Sequence, residues 1–159
     1  MKTRRYIRFF LAAALLGTVA SGVAQAAPRR QYYNDWNLYP QFGYYYISYY
    51  YQPSPRDAGY KYQFCLFYPT HPRFVYYFDP VRRLYWGRLD MKGTPDHQFS
   101  LLAEKDRKEK LKDIPEDAFP KPGKMPPIPE SKDGTLMDPI RFLPNLPSEG
   151  EKTTPEPKK

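Results

Sequence analysis

The chain is 159 residues long and 18% aromatic, with 16 tyrosines, 19 prolines, one cysteine and two histidines. A single cysteine excludes an intramolecular disulfide, and His71 and His97 each lack a companion at metal-ligand spacing, so no metal motif is present. The formal charge is +8, but four of the 25 bases and none of the 17 acids lie in residues 1–26, which leaves +4 beyond them and a weak general case for a polyanion partner.

Residues 1–26 have the layout of a signal peptide. Lys2, Arg4, Arg5 and Arg8 precede an apolar run from Phe9 to Ala20, and Ala24-Gln25-Ala26 supplies a small-x-small cleavage site. The expectation is an exported chain, periplasmic, in the cell envelope or extracellular, in contact with a membrane only if this segment stays uncleaved. Arg4-Arg5 is a partial match to a twin-arginine signal, so the export route stays open between that and general secretion.

Residues 27–59 are a tyrosine-rich segment containing Tyr44-Tyr45-Tyr46 and Tyr49-Tyr50-Tyr51. Residues 44–51 are expected to add a strand to a neighbouring sheet or to lie across one of its faces. The sharper alternative is an exposed adhesive surface, because large exposed apolar patches mark interaction sites.

Residues 60–93 carry the pattern of a small antiparallel sheet. Aromatic and β-branched runs at 60–68, 73–79 and 84–90 are separated by Pro69-Thr70-His71-Pro72 and Pro80-Val81-Arg82-Arg83. Asp79-Pro80 predicts a type I turn closing Asp79 against Leu84. That register sets Arg73 opposite Asp90, Phe74 opposite Leu89, Tyr76 opposite Gly87, Tyr77 opposite Trp86 and Phe78 opposite Tyr85. In the first hairpin, pairing Tyr68 with Arg73 sets Phe67 opposite Phe74, Leu66 opposite Val75 and Phe64 opposite Tyr77. Both resulting faces are apolar, so one needs a cover. Cys65 is expected as a small buried hydrophobe in the first of these strands.

Residues 94–114 form a linker in which Glu104/Lys108 and Asp106/Lys110 have the spacing of a short solvated helix. Residues 115–159 hold eleven prolines and are expected to be a largely disordered tail without a packed core. Within that tail, residues 119–130 (FPKPGKMPPIPE) are a segment able to dock on the aromatic sheet of their own or of a neighbouring molecule. The fold class expected is therefore mainly β: a three- to four-stranded antiparallel aromatic sheet, a short helix and a proline-rich tail.

No strained-turn nucleophile or glycine-rich phosphate loop organises the polar residues, so no catalytic residue and no cofactor is assigned. Tyr77, Trp86 and Arg88 are the candidate binding residues, on a flat face with a charged edge suited to polyproline or sugar rings. The expected function is a noncatalytic envelope or surface protein, whose partner is an envelope protein, a polysaccharide or a second copy of itself. The alternatives are a small exported enzyme and a weak nucleic-acid binder, and export and modest charge weigh against the latter.

The stretches YYFDPVRRLYWGRLD, FSLLAEKDRKEKLKDIPEDAFPKPG and MPPIPESKDG resemble a group of exported tyrosine-rich proteins of planctomycete-type bacteria, over residues 74–134. The resemblance implies export and brings no activity, cofactor or site residue. YYFDPVRRLYW is also similar to the aromatic octamer repeats of OCRE domains, and export and the single copy here argue against that kinship.

Overall fold

The computed structural model describes residues 29–146, so the signal-peptide assignment at 1–26 and the end of the tail lie outside the described residues. Seven strands, β1 (Gln31–Tyr33), β2 (Asn37–Tyr39), β3 (Tyr44–Tyr51), β4 (Lys61–Phe67), β5 (Phe74–Asp79), β6 (Leu84–Thr94) and β7 (His97–Leu101), form one antiparallel sheet. The lanes run β1-β3-β4-β5-β6-β7, and β2 continues the β1 lane along the other half of β3. The sheet is thus larger than the three or four strands expected and spans residues 31–101 rather than 60–93. The tyrosine-rich run takes the first of its two predicted places, as the added strand β3.

Local chemistry explains the interrupted edge lane. Between β1 and β2, the Asn34 amide donates to the Ser48 carbonyl at 3.1 Å, while Asn34 Oδ1 accepts the Ser48 amide at 2.6 Å. The break therefore leaves no unpaired backbone group on Ser48. The β2–β3 hairpin turns through Gly43, whose φ of +64° is a left-handed conformation that glycine adopts without a Cβ clash.

The β5–β6 turn closes Asp79 against Leu84 as expected, and Asp79 Oδ1 accepts the amides of Val81 and Arg82 at 2.8 and 3.1 Å. Phe78 also lies opposite Tyr85 as expected. Beyond that point a β-bulge shifts the register by one, so that Tyr77 faces Gly87, Tyr76 faces Arg88, Val75 faces Leu89 and Phe74 faces Asp90. The expected pairs of Tyr77 with Trp86, Tyr76 with Gly87 and Phe74 with Leu89 do not form. The Arg73–Asp90 ion pair survives as a diagonal contact, 2.6 Å between Nη2 and Oδ2.

The first hairpin is also off by one residue. Phe64 pairs with Phe78, Cys65 with Tyr77, Leu66 with Tyr76 and Phe67 with Val75. Pro69 and Pro72 have no amide to give, and the loop closes instead through His71, which donates to the Tyr68 carbonyl at 2.8 Å and accepts from Phe74 at 3.2 Å. These two tight turns take up residues 68–73. A one-residue slip exchanges the faces of a strand, so Val75 and Tyr77 join Cys65 and Phe67 on the same side.

One face is covered by the proline-rich segment. Met125, Ile128, Met137 and Ile140 pack on Tyr49, Cys65, Phe67, Tyr77, Trp86 and Phe99. This corrects the expectation of a disordered tail for residues 115–146 and agrees with docking of residues 119–130 on their own sheet. Proline makes this arrangement possible in two ways: an extended proline-rich backbone has few donors to leave unpaired, and its restricted dihedrals lower the entropy lost on ordering. Several of the remaining amides are paired, Ile128 to the Thr135 carbonyl at 2.8 Å, Met137 to Pro126 at 2.9 Å and Gly123 to Phe99 at 2.8 Å.

The expected helix after residue 100 is absent. Ser100 and Leu101 belong to β7, and only single 3-10 turns follow, at Glu104–Asp106, Leu111–Asp113 and Glu116–Ala118. Leu102, Ile114 and Phe119 are the buried anchors of this stretch, on the second face against Leu66, Tyr76 and Tyr85. Their spacing does not follow a helical stripe, and isolated charge pairs do not nucleate a helix without one.

Candidate aromatic interface

The three residues singled out from sequence do not form an accessible surface. Tyr77 is fully buried and Trp86 nearly so, with ring centroids 5.3 Å apart on the covered face. The Tyr77 hydroxyl lies 3.0 Å from that of Tyr33, which donates to the Asp138 carbonyl at 2.7 Å. Burial pushes both phenols well above their ordinary range. Arg88 is on the other face, because the bulge at Trp86 breaks the alternation that would have kept residues 86 and 88 together. Its guanidinium makes two bonds to Glu116, at 2.8 and 2.6 Å, and lies 4.0 Å from the ring centres of both Phe74 and Phe119. A cation held between two rings and a carboxylate is a structural clamp. Hydrogen bonds from Arg88 hold the Glu116 carboxyl below its ordinary range.

Cys65 is buried in β4, as expected, and burial raises its thiol well above the ordinary value. Among the described residues no three His, Cys, Asp or Glu side chains converge as a metal site, and no helix is long and apolar enough to cross a membrane.

The accessible aromatic surface is the part of the second face that no described residue covers. β3 reads YYYISYYY, and its alternation turns Tyr45, Ile47, Tyr49 and Tyr51 to the covered face and Tyr44, Tyr46 and Tyr50 to the open one. In the adjoining lanes Tyr32 lies opposite Tyr50, Tyr50 opposite Tyr62, and Tyr46 opposite Leu66. The rings form an unbroken ladder across the sheet. Tyr60 meets Tyr32 edge-on at 5.1 Å, Tyr32 stacks on Tyr50 at 4.9 Å, and Tyr50 reaches Tyr62 at 6.1 Å. Tyr62, Phe64, Tyr46 and Tyr39 follow at 5.6, 5.9 and 6.4 Å. Tyr39 stacks on Phe42 at 5.1 Å, at the tip of the β2–β3 hairpin. Tyr62 is 47% exposed and Phe42 65%, so the ladder presents ring surface to solvent.

The ladder continues through Tyr44 and Tyr68, 5.4 Å apart, into a cleft of 830 Å³ floored by Tyr68, Tyr76 and Tyr85 and walled by residues 109–112. The Tyr68 and Tyr85 hydroxyls are 2.7 Å apart, and burial raises both phenols above their ordinary value, so both stay protonated at neutral pH. These open-face tyrosines were not singled out as site residues. The signal available was the pair of tyrosine triplets, which alternate onto both faces only once β3 is placed inside the sheet. No protein-family model, no curated protein and no solved structure matches this chain.

Proposed function

We propose that this chain is an exported, noncatalytic module of the cell envelope or surface that binds a polysaccharide along its open tyrosine ladder. The observation that carries the reading is the continuity of partly exposed rings from Tyr60 to Phe42 on the uncovered part of the second face, opposite the face that the proline-rich segment covers. The chain already uses its own proline-rich segment to seal the first face, so aromatic surface left on the second is surplus to the core. Tyrosine suits such a surface, since its ring offers flat apolar area and its hydroxyl stays hydrated at low entropic cost. Sugar rings present the matching pair, an apolar ring face edged by hydroxyls. The layout of residues 1–26 supports export.

The test is retention of the mature chain on a panel of immobilised polysaccharides, with Tyr62→Ala and Tyr39→Ala compared with the parent. Covering a half-exposed ring contributes about 1 kcal/mol, so each substitution weakens retention about fivefold. Retention unchanged in the double variant, or no retention on any member of the panel, contradicts the reading.

A further inference from the structure

Resting on that reading of the open face, we infer that the cleft at the end of the ladder seats an anionic sugar residue, and that the natural ligand is an acidic polysaccharide. The cleft combines three features that a neutral glucan would not need together. Its floor is aromatic, formed by Tyr68, Tyr76 and Tyr85. Its volume of 830 Å³ falls within the range of small-molecule sites. Its wall carries Lys110 and Lys112, both exposed, and neither forms an ion pair among the described residues.

The two carboxylates that line the cleft are already engaged, and Asp113, next to Lys112, lies outside the lining. Glu109 pairs with Arg83, and Glu116 takes both bonds from Arg88. Among the residues that line the cleft the balance is therefore two uncompensated ammonium groups over an aromatic floor. The hydroxyl pair adds a directional element: two phenols bonded to each other use one O–H between them, and the other proton is left to donate outward. A stacked sugar ring, a hydroxyl or carboxylate oxygen accepting from the tyrosine pair, and a carboxylate between Lys110 and Lys112 satisfy all three.

The polysaccharide panel, extended to matched neutral and uronate-bearing polymers, tests this with two double variants of equal charge. K110A/K112A removes the proposed contacts, while K92A/K121A removes two exposed lysines that do not line the cleft. The expected result is at least tenfold preference of the parent for uronate-bearing polymers in 0.1 M salt, loss of most of that preference in K110A/K112A, and its retention in K92A/K121A. Neutral-polymer binding stays unchanged in both. Equal binding of neutral and acidic polymers, or equal loss in the two variants, overturns the anionic assignment and leaves the polysaccharide reading standing. Absence of binding to every polymer overturns both.

Discussion

Tyr49 donates its hydroxyl proton to Gln31 Oε1 at 2.6 Å in the interior, and the same oxygen accepts the Asp138 amide at 3.0 Å. Gln31 Nε2 in turn donates to the Leu136 carbonyl at 3.0 Å. One amide side chain thus ties β1 and β3 to the returning proline-rich segment. Gln31→Leu leaves a phenol, an amide and a carbonyl without partners, and is expected to cost about 3 kcal/mol, since each buried unpaired group costs about 1–3. Urea denaturation measures it, and proteolysis should open the 131–138 region first.

Gly87 marks where the bulged strand meets β7. A Cβ there would stand 2.6 Å from the Phe99 ring and 3.0 Å from the Ser100 carbonyl. Gly87→Ala should destabilise by about 1–3 kcal/mol through overpacking. In a Phe99→Leu background the added penalty should shrink, and thermal unfolding of the four variants separates the two effects.

The proline-rich cover is part of the core. Ile128 is 1% exposed on the covered face, so Ile128→Ala is expected to lower stability by about 2–4 kcal/mol. A tail without a core would return a value near zero in the same urea titration.

Stability should fall at both ends of the pH scale, for opposite reasons. Burial raises the phenol of Tyr51 to about 12, and Tyr33, Tyr77 and Tyr85 are raised as well. Groups whose folded pKa is raised contribute stability that is present below the unfolded value of 10.0 and is lost as pH rises through the folded one. Glu116 and Asp90 are lowered, first by hydrogen bonds from Arg88 and Arg73, from ordinary values of 4.5 and 3.8. Their contribution is present above those values and is lost as pH falls through the folded ones. Tyrosine ionisation followed by absorbance should show that the buried phenols of Tyr33, Tyr77 and Tyr85 titrate only with alkaline unfolding, while Glu116→Gln should flatten the acid limb.

How much was legible follows from which interactions are local. The β5–β6 turn was readable because Asp79, Pro80 and Leu84 specify it within six residues. Its register past Trp86 was not, because the bulge accommodates Phe99, which arrives from β7 to fill the space over Gly87. The β4–β5 slip depends on which amide closes a loop that two prolines have depleted of donors. The expected cross-strand pair of Tyr77 with Trp86 does not form; the bulge leaves their rings in contact on the covered face and turns Arg88 away from them. Proline content argued against a core in residues 115–146, yet the apolar side chains of Met125, Ile128 and Ile140 between the prolines are what the covered face requires. The open ladder was hidden for the same reason: its tyrosines are surplus only once the other face has been sealed.

The most direct measurement is hydroxyl-radical footprinting of residues 27–159, read by mass spectrometry with and without a bound polysaccharide. Tyr39, Phe42 and Tyr62 should be oxidised in the free protein and protected in the complex, with Tyr49 and Tyr77 silent in both. Oxidation of Tyr39, Phe42 and Tyr62 that is unchanged by the polysaccharide, or their silence in the free chain, would contradict an open aromatic face that binds one.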